Sequence, residues 1–159
     1  MTDTTLPPLD IGIISDTHGL LRPAALEALA GVSHILHAGD VGRGMILEKL
    51  REIAPVTAVR GNVDYDPPLD GLPLTEWIEL GGLAIYMIHI REDLDLDPRS
   101  AGLGMVIYGH SHKPEIVEKN GVLYVNPGSA GPRRFSLPVT LARMRISAGV
   151  PEVWLVELD

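Results

Sequence analysis

Seven side chains that could bind metal ions follow short apolar segments of this chain. All are carboxylate, imidazole or amide groups, which are ligands of divalent transition metals. They occur in five fragments whose order is Asp-x-His, Gly-Asp, Gly-Asn, His and Gly-His-x-His. The seven candidates are Asp16, His18, Asp40, Asn62, His89, His110 and His112. Their types and order fit a site where two metal ions hydrolyse a phosphate ester.

Each fragment alone also has a purely structural explanation. Asp-x-His and Gly-Asp could be ordinary turns after a strand, and Asn beside Gly is a common turn pair. His89 alone could be a hydrogen-bonded core histidine. The two imidazoles of His110 and His112 are more specific, because ligands two residues apart after an apolar strand can serve neighbouring ions. The fragments become specific through their shared order and placement.

The first 60 residues alternate between strands and helices. Residues 11–15, 34–38 and 56–59 are short apolar runs typical of buried strands. Pro23 can open a helix that continues to Leu29, and residues 45–53 form a second helical pattern that ends before Pro55. We therefore predict that each of these strands leads directly to a candidate ligand, at the strand end where open α/β sheets bind ligands.

The later part of the chain is mainly hairpins. Residues 74–80 and 83–88 flank a turn at Gly81-Gly82, and residues 115–119 and 122–125 flank a turn at Asn120-Gly121. We also predict strands over residues 105–108, 139–146 and 153–158. Asp97-Pro98 has the pattern of a helix start, and residues 65–73 read as a loop.

Asp16 and His18 can reach one ion if the chain stays extended after the first strand. Successive side chains of an extended chain point to opposite sides, so residues two apart share a side. The sequence therefore predicts that both side chains leave the carboxyl end of the first strand together.

Composition limits the class of protein. A chain of 159 residues fits one domain over residues 1–159. Its 13 Lys and Arg against 21 Asp and Glu give a net charge of -8, so general nucleic-acid binding is not expected. Without Cys there is no thiolate ligand or nucleophile, and without a signal-peptide pattern or an apolar membrane span we expect a soluble, cytoplasmic protein.

Taken together, the five fragments resemble the calcineurin-like metallophosphoesterases. Within that superfamily the chain is similar to small bacterial and archaeal phosphodiesterases related to the retromer subunit of eukaryotes. The resemblance covers residues 11–129 and includes the turn Asn126-Pro127-Gly128-Ser129. It implies an α/β fold, a two-sheet β-sandwich flanked by helices in four α/β/β/α layers.

The resemblance also implies a ligand assignment. Asp16, His18 and His112 would hold one ion, Asn62, His89 and His110 would hold the second, and Asp40 would bridge both. The expected cofactors are two divalent ions, Mn preferred and Fe, Zn or Ni as alternatives. A hydroxide shared by the ions would attack phosphorus, with Asp40, Asn62 and His89 as catalytic residues.

Two residues depart from the pattern of the wider superfamily. Larger members carry a His after Gly-Asn, where this chain has Val63, and a valine cannot protonate a leaving group. Ile90 follows His89 where related sequences usually have Gly. Arg133 and Arg134 could bind a substrate phosphate through paired hydrogen bonds, although a solvated pair on a loop is the competing interpretation.

These observations favour a metal-dependent phosphoesterase, preferably a phosphodiesterase, acting on a small-molecule phosphoester. The alternative is a catalytically weak or inactive protein of the same fold that binds metal or serves as a scaffold, as the retromer subunit does. In a third interpretation the metal ions are structural. Exposed hairpin edges could also associate into a homo-oligomer.

Overall fold

The structure, a computed structural model, describes residues 7–158. Ten strands and two α-helices are formed within this range. They are β1 (Leu9–Ile14), α1 (Pro23–Ala28), β2 (His34–His37), α2 (Gly44–Arg51), β3 (Val56–Ala58), β4 (Thr75–Leu80), β5 (Leu83–Ile88), β6 (Met105–Ile107), β7 (Glu115–Lys119), β8 (Val122–Asn126), β9 (Thr140–Ser147) and β10 (Val150–Glu157). Short 3-10 helices lie at Leu69–Gly71 and Arg91–Asp93.

The strands form two mixed five-stranded sheets. The first has the order β10-β9-β1-β2-β3, with β1, β2 and β3 parallel and β9 antiparallel to both of its neighbours. The second has the order β4-β5-β6-β8-β7, with β5, β6 and β8 parallel and a hairpin at each edge. The predicted hairpins at Gly81-Gly82 and Asn120-Gly121 are confirmed.

The two sheets pack face to face around an apolar core. Alternate residues of the central strands, such as Ile13, Leu36, Met87 and Met105, are fully buried in this interface. Burying one such side chain stabilises the fold by roughly 1.5–3 kcal/mol. The sandwich fixes the strand ends, from which the loops bearing the ligand candidates emerge.

The outer faces are covered in different ways. Helices α1 and α2 pack on the first sheet through Ala25 and Leu50, together with Leu29 directly after α1. The outer face of the second sheet packs instead against the segment between β5 and β6, which contributes Leu94 and Leu103. The predicted two-sheet α/β architecture is confirmed, with an irregular segment as its fourth layer.

The helix predicted from Asp97-Pro98 is wrong. The backbone there forms a turn, in which Ala101 N–H donates to Asp97 O at 3.0 Å and Leu103 N–H donates to Pro98 O at 3.0 Å. The turn ends at Gly102, whose φ of +81° is incompatible with helix continuation. Among residues 7–158, no helix is long and apolar enough to cross a membrane.

Candidate metal centre

All seven predicted ligands lie on loops that leave the carboxyl ends of parallel strands. The loops after β1, β2 and β3 carry Asp16, Asp40 and Asn62, and those after β5 and β6 carry His89 and the two later histidines. Since the sheets pack against each other, these loops meet at one edge of the sandwich. The structure therefore brings all seven side chains together.

The first group consists of Asp16, His18 and His112. Asp16 Oδ1 lies 3.4 Å from His112 Nε2 and 3.6 Å from His18 Nε2. The two imidazole Nε2 atoms are 3.3 Å apart. Asp16 and His112 are buried, so this group lies at the bottom of the site.

The second group contains Asp40, Asn62, His89 and His110. Asn62 Oδ1 lies 3.0 Å from His89 Nε2 and 3.1 Å from His110 Nδ1. His89 is buried, whereas Asn62 and His110 are exposed. This group therefore faces solvent on one side.

Asp40 lies between the two groups. Its Oδ2 atom is 3.2 Å from His89 Nε2 in the second group and 3.6 Å from His18 Nε2 in the first. Its Oδ1 atom accepts a hydrogen bond of 3.1 Å from Val63 N–H, which fixes the carboxylate plane. One oxygen of Asp40 thus faces ligand atoms of both groups.

The residues fit divalent ions. Ligand atoms about 2.1 Å from one ion lie roughly 3–3.5 Å apart, close to the separations found in both groups. Asp16 Oδ1 is buried and has no hydrogen-bond partner among the described residues, although three imidazoles surround it. His89 Nδ1–H donates to Ala38 O at 2.7 Å, which leaves the Nε2 lone pair free for a metal.

The electrostatics keep the carboxylates ionised. Burial raises the pKa of Asp16, but the imidazoles of His112 and His18, 3.4 and 3.6 Å from Oδ1, outweigh it, so the pKa lies well below its usual range. Burial likewise opposes ionisation of Asp40, and the His89 contact lowers its pKa overall. Two ionised carboxylates give the site the negative charge that a cation pair needs.

The ligand loops have a left-handed backbone, which corrects the prediction of an extended chain after β1. The φ angles are 55° at Asp16 and 46° at His18, and the other ligands with positive φ are Asp40 (54°), His110 (73°) and His112 (63°). Non-glycine residues rarely adopt this conformation, and such strain concentrates at functional sites. Asp16 and His18 converge because the chain turns sharply, and not because it stays extended.

Three glycines explain the Gly-Asp, Gly-Asn and Gly-His fragments. A Cβ at Gly61 would lie 2.1 Å from the backbone N and from Oδ1 of Asp40. At Gly109 a Cβ would lie 2.6 Å from Asp16 Oδ2, and at Gly39 it would lie 2.6 Å from His89 Nδ1. The glycines therefore allow the loops to approach closely enough for the ligands to meet.

The sequence reasoning missed Asp64. This buried carboxylate accepts hydrogen bonds from Gly61 N–H at 2.8 Å, Gly42 N–H at 3.0 Å and Val41 N–H at 3.2 Å. It joins the loop of Asp40 to the loop of Asn62. The one available signal was its position two residues after the Gly-Asn fragment.

A second missed contact joins Thr17 to His37, which lies outside both ligand groups. Gly39 N–H donates to His37 Nδ1 at 3.1 Å, so Nε2–H donates to Thr17 Oγ1 at 3.0 Å. Thr17 Oγ1 then donates to Val41 O at 2.9 Å. Burial lowers the pKa of His37 to about 4, so its neutral ring ties the Asp16 loop to the Asp40 loop.

The late Asn-Pro-Gly-Ser turn supports the first group. Asn126 Nδ2–H donates to Gly109 O and to Ser111 Oγ, both at 3.1 Å. Ser129 Oγ–H donates to Asp16 O at 3.0 Å. The turn thus holds the backbones of both loops that contribute to this group.

The remaining predicted residues lie around the centre. Arg133 and Arg134 are exposed on the loop before β9, where Arg133 donates to Leu137 O at 3.2 Å. Their proposed contact with substrate stays a prediction. Ile90 is half-buried with an extended backbone, and His89 beside it keeps its hydrogen bond to Ala38.

Comparisons with known proteins identify the family of this chain. Residues 9–149 match the calcineurin-like phosphoesterase superfamily domain. The chain is 36% identical over 132 residues to the probable metallophosphoesterase MJ0623 of Methanocaldococcus jannaschii, covering 75% of this chain and 67% of that protein. It is 30% identical over 140 residues to phosphodiesterase YfcE of Escherichia coli, covering 72% and 76%.

A solved structure shares the fold. Vacuolar protein sorting 29 of Cryptosporidium parvum aligns with a TM-score of 0.76 and 23% identity, over 96% of this chain and 98% of that one. Three observations lead to one conclusion. They are the two-sheet sandwich with ligand candidates on its loops, the domain match over residues 9–149 and the similarity to these relatives. The chain belongs to the calcineurin-like phosphoesterase superfamily.

Proposed function

We propose that this protein is a metal-dependent phosphodiesterase with a dinuclear centre. The observation that carries the proposal is the position of Asp40 Oδ2, 3.2 Å from His89 Nε2 and 3.6 Å from His18 Nε2. A carboxylate shared by two ligand groups is suited to a metal pair. Family membership and the similarity to phosphodiesterase YfcE support the phosphoester chemistry.

The chain's own residues would hold and orient the centre. Asp16, His18 and His112 would bind one ion, while Asn62, His89 and His110 would bind the other and Asp40 would bridge them. When bound, two divalent ions supply a hydroxide nucleophile near neutral pH and neutralise charge on the phosphoryl oxygens. Mn is the preferred metal, and these nitrogen and oxygen ligands also suit Fe, Zn and Ni.

The preference for diesters follows from Val63. Val63 follows Asn62 directly and contributes only its backbone N–H, donated to Asp40. The site thus has no imidazole there to assist a dianionic monoester or to protonate a basic leaving group. A monoanionic diester with a good leaving group needs less of this assistance.

A leaving-group series tests the role of Val63. We expect kcat/KM to fall steeply as the leaving group becomes more basic, so that aryl diesters react faster than alkyl diesters. The measurement is hydrolysis of methyl aryl phosphates whose phenols differ in pKa. A flat dependence would show that another group protonates the leaving oxygen.

The function itself is tested by hydrolysis of bis(p-nitrophenyl) phosphate with metal-stripped protein, before and after addition of Mn²⁺. Turnover should appear only with Mn²⁺. If metal binds tightly without turnover of any phosphoester, the centre is structural. If neither metal binding nor turnover is found, the scaffold alternative is correct.

A further inference from the structure

A cavity of about 430 Å³ opens beside the second ligand group. Asn62 and His89 form the end of the cavity nearest the metal centre, and β4 and β5 supply its walls. Its volume lies within the roughly 300–1,000 Å³ of small-molecule pockets. The cavity therefore borders the second ligand group directly.

One wall of the cavity is apolar because of the strand periodicity. Ile85 and Met87 of β5 point into the core between the sheets, so Tyr86 and Ile88 point to the outer face. Ile90 continues this outward-facing series past the end of the strand and also lines the cavity. The departure from Gly at this position thus extends an apolar surface up to His89.

The start of β4 borders the same cavity, because Thr75 pairs with Ile88 of β5. Leu74 is 59% exposed although it is a large apolar side chain, and Thr75 beside it lines the same space. Ligand pockets are lined mainly by apolar side chains with a few polar groups. A planar or apolar group in the cavity could therefore contact both Leu74 and Ile90.

The rim carries more negative than positive charge. Asp93 and Asp95 are exposed on the segment after β5, and Arg60 is the cation that lines the cavity. Arg60 also donates a 3.2 Å hydrogen bond to Asp70 O. Two carboxylates repel a second phosphate, while they accept hydrogen bonds from hydroxyl or amide donors.

A smaller cavity of about 170 Å³ lies beside His110 and offers less space for a substrate substituent. Of its two cations, Arg91 and Lys113, Arg91 is paired with Glu115 at 3.1 Å and lies 4.6 Å above the Tyr124 ring. Tyr108 O–H also donates to Glu115. Arg91, Tyr108 and Glu115 satisfy one another, and this cavity has less than half the volume of the 430 Å³ cavity, so the larger cavity is the better site for a substrate substituent.

We propose that the 430 Å³ cavity binds one ester substituent of the substrate, an uncharged planar group of nucleoside size with hydrogen-bond donors, and disfavours substituents that carry a second phosphate. Ile90 and Leu74 select for the planar group, and Asp93 and Asp95 select against the phosphate. This inference rests on the proposed phosphodiesterase function.

The test is calorimetric binding of four phosphate esters, run with and without Mn²⁺. The probes are methyl phosphate, phenyl phosphate, thymidine 5′-phosphate and thymidine 3′,5′-bisphosphate. We expect phenyl phosphate and thymidine 5′-phosphate to bind about tenfold or more tightly than methyl phosphate, since one ring buries apolar surface in the cavity. The bisphosphate should bind more weakly than thymidine 5′-phosphate. Equal affinities for all four probes would overturn the proposal.

Two variants assign the selectivity to the cavity. Ile90→Ala should lower the affinity for thymidine 5′-phosphate about fivefold and leave the affinity for methyl phosphate unchanged. The control Ile116→Ala removes a similar, partly exposed side chain from the other edge of the same sheet and should change neither affinity. Replacing both acidic residues, Asp93→Asn with Asp95→Asn, should raise the affinity for the bisphosphate. If Ile90→Ala lowers the affinity for all four probes by the same factor, the cavity does not select the substituent.

Binding and turnover separate this inference from the function on which it rests. Selective binding without hydrolysis of bis(p-nitrophenyl) phosphate would overturn the phosphodiesterase and keep the cavity as a ligand site. Hydrolysis with equal affinities for the four probes would keep the enzyme and overturn the role of the cavity.

Discussion

The two ligand groups differ in how deeply they lie in the protein. Asp16 is fully buried and His112 is 3% exposed, whereas Asn62 and His110 of the second group are exposed. Asp40 lies between the two groups. The comparison indicates that the first group is the more enclosed one, whereas the second group reaches solvent through Asn62 and His110.

The difference has a structural cause. The first group is enclosed by the late turn, where Ser129 Oγ–H donates to Asp16 O and Ala130 N–H donates to Ser15 O. Asp16 Oδ2 also accepts from Ser15 Oγ–H and from His110 N–H. The second group borders the 430 Å³ cavity instead. We therefore expect tighter metal binding in the first group and substrate access through the second.

Asp40→Asn should have the largest effect, because it removes charge at the boundary of both groups. Metal ions contribute several kcal/mol to stabilising the transition state, so losing the bridge should lower kcat/KM by about three orders of magnitude or more. The measurement is hydrolysis of bis(p-nitrophenyl) phosphate with saturating Mn²⁺. A loss of less than tenfold would contradict a bridging role.

His112→Ala and His110→Ala form a matched pair that tests the comparison directly. The two residues are two positions apart on one loop, but His112 belongs to the buried group and His110 to the exposed one. Removing a ligand should cost more than the roughly 10–100-fold seen for outer partners of ligands. We expect excess Mn²⁺ to restore the activity of His110→Ala, because solvent can replace the exposed imidazole. We do not expect it to restore the activity of His112→Ala. Equal recovery of both variants would contradict the difference between the groups.

Asp64→Asn should weaken the second group more than the first. Its carboxylate accepts three backbone hydrogen bonds that position the loops of Asp40 and Asn62. An amide loses part of this acceptor capacity, so we expect a loss of about 10–100-fold in kcat/KM. Metal titration is the check, and the weaker binding event should shift more than the tighter one. A shift of the tighter event alone would contradict the assignment.

Thr17→Val should have the smallest effect and should act on the first group. The variant keeps the shape of the side chain but leaves Val41 O and His37 Nε2–H without their partner. A buried polar group without a partner costs about 1–3 kcal/mol. Thermal unfolding should show this loss, and only the tighter metal-binding event should weaken. Unchanged stability would show that the contact does not hold the loop.

Much of the site was predictable because its signal is local. Each ligand follows an apolar strand, and the strand pattern places it at the carboxyl end of a sheet. The chain segments of β1, β2 and β3, both tight hairpins and the seven candidate positions were therefore accessible from the sequence.

What could not be predicted depends on contacts between distant segments. The left-handed backbone at Asp16 and His18 is stabilised by hydrogen bonds from the Asp16, His18 and Gly19 N–H groups to residues 39–41. The supporting roles of Asp64 and His37 likewise require two loops to be adjacent. The helix start at Asp97-Pro98 failed because its segment packs as a turn over the second sheet. Local sequence propensity does not indicate contacts between segments that are distant in sequence.

The most direct test of the two-group centre is electron paramagnetic resonance of metal-stripped protein during titration with Mn²⁺. Two ions roughly 3.5–4 Å apart should couple magnetically. We expect a first, tightly bound ion with an isolated Mn²⁺ spectrum, followed by a coupled spectrum as the second ion binds, and no coupling in the Asp40→Asn variant. A spectrum that stays uncoupled at saturation in the unmodified protein would contradict the account.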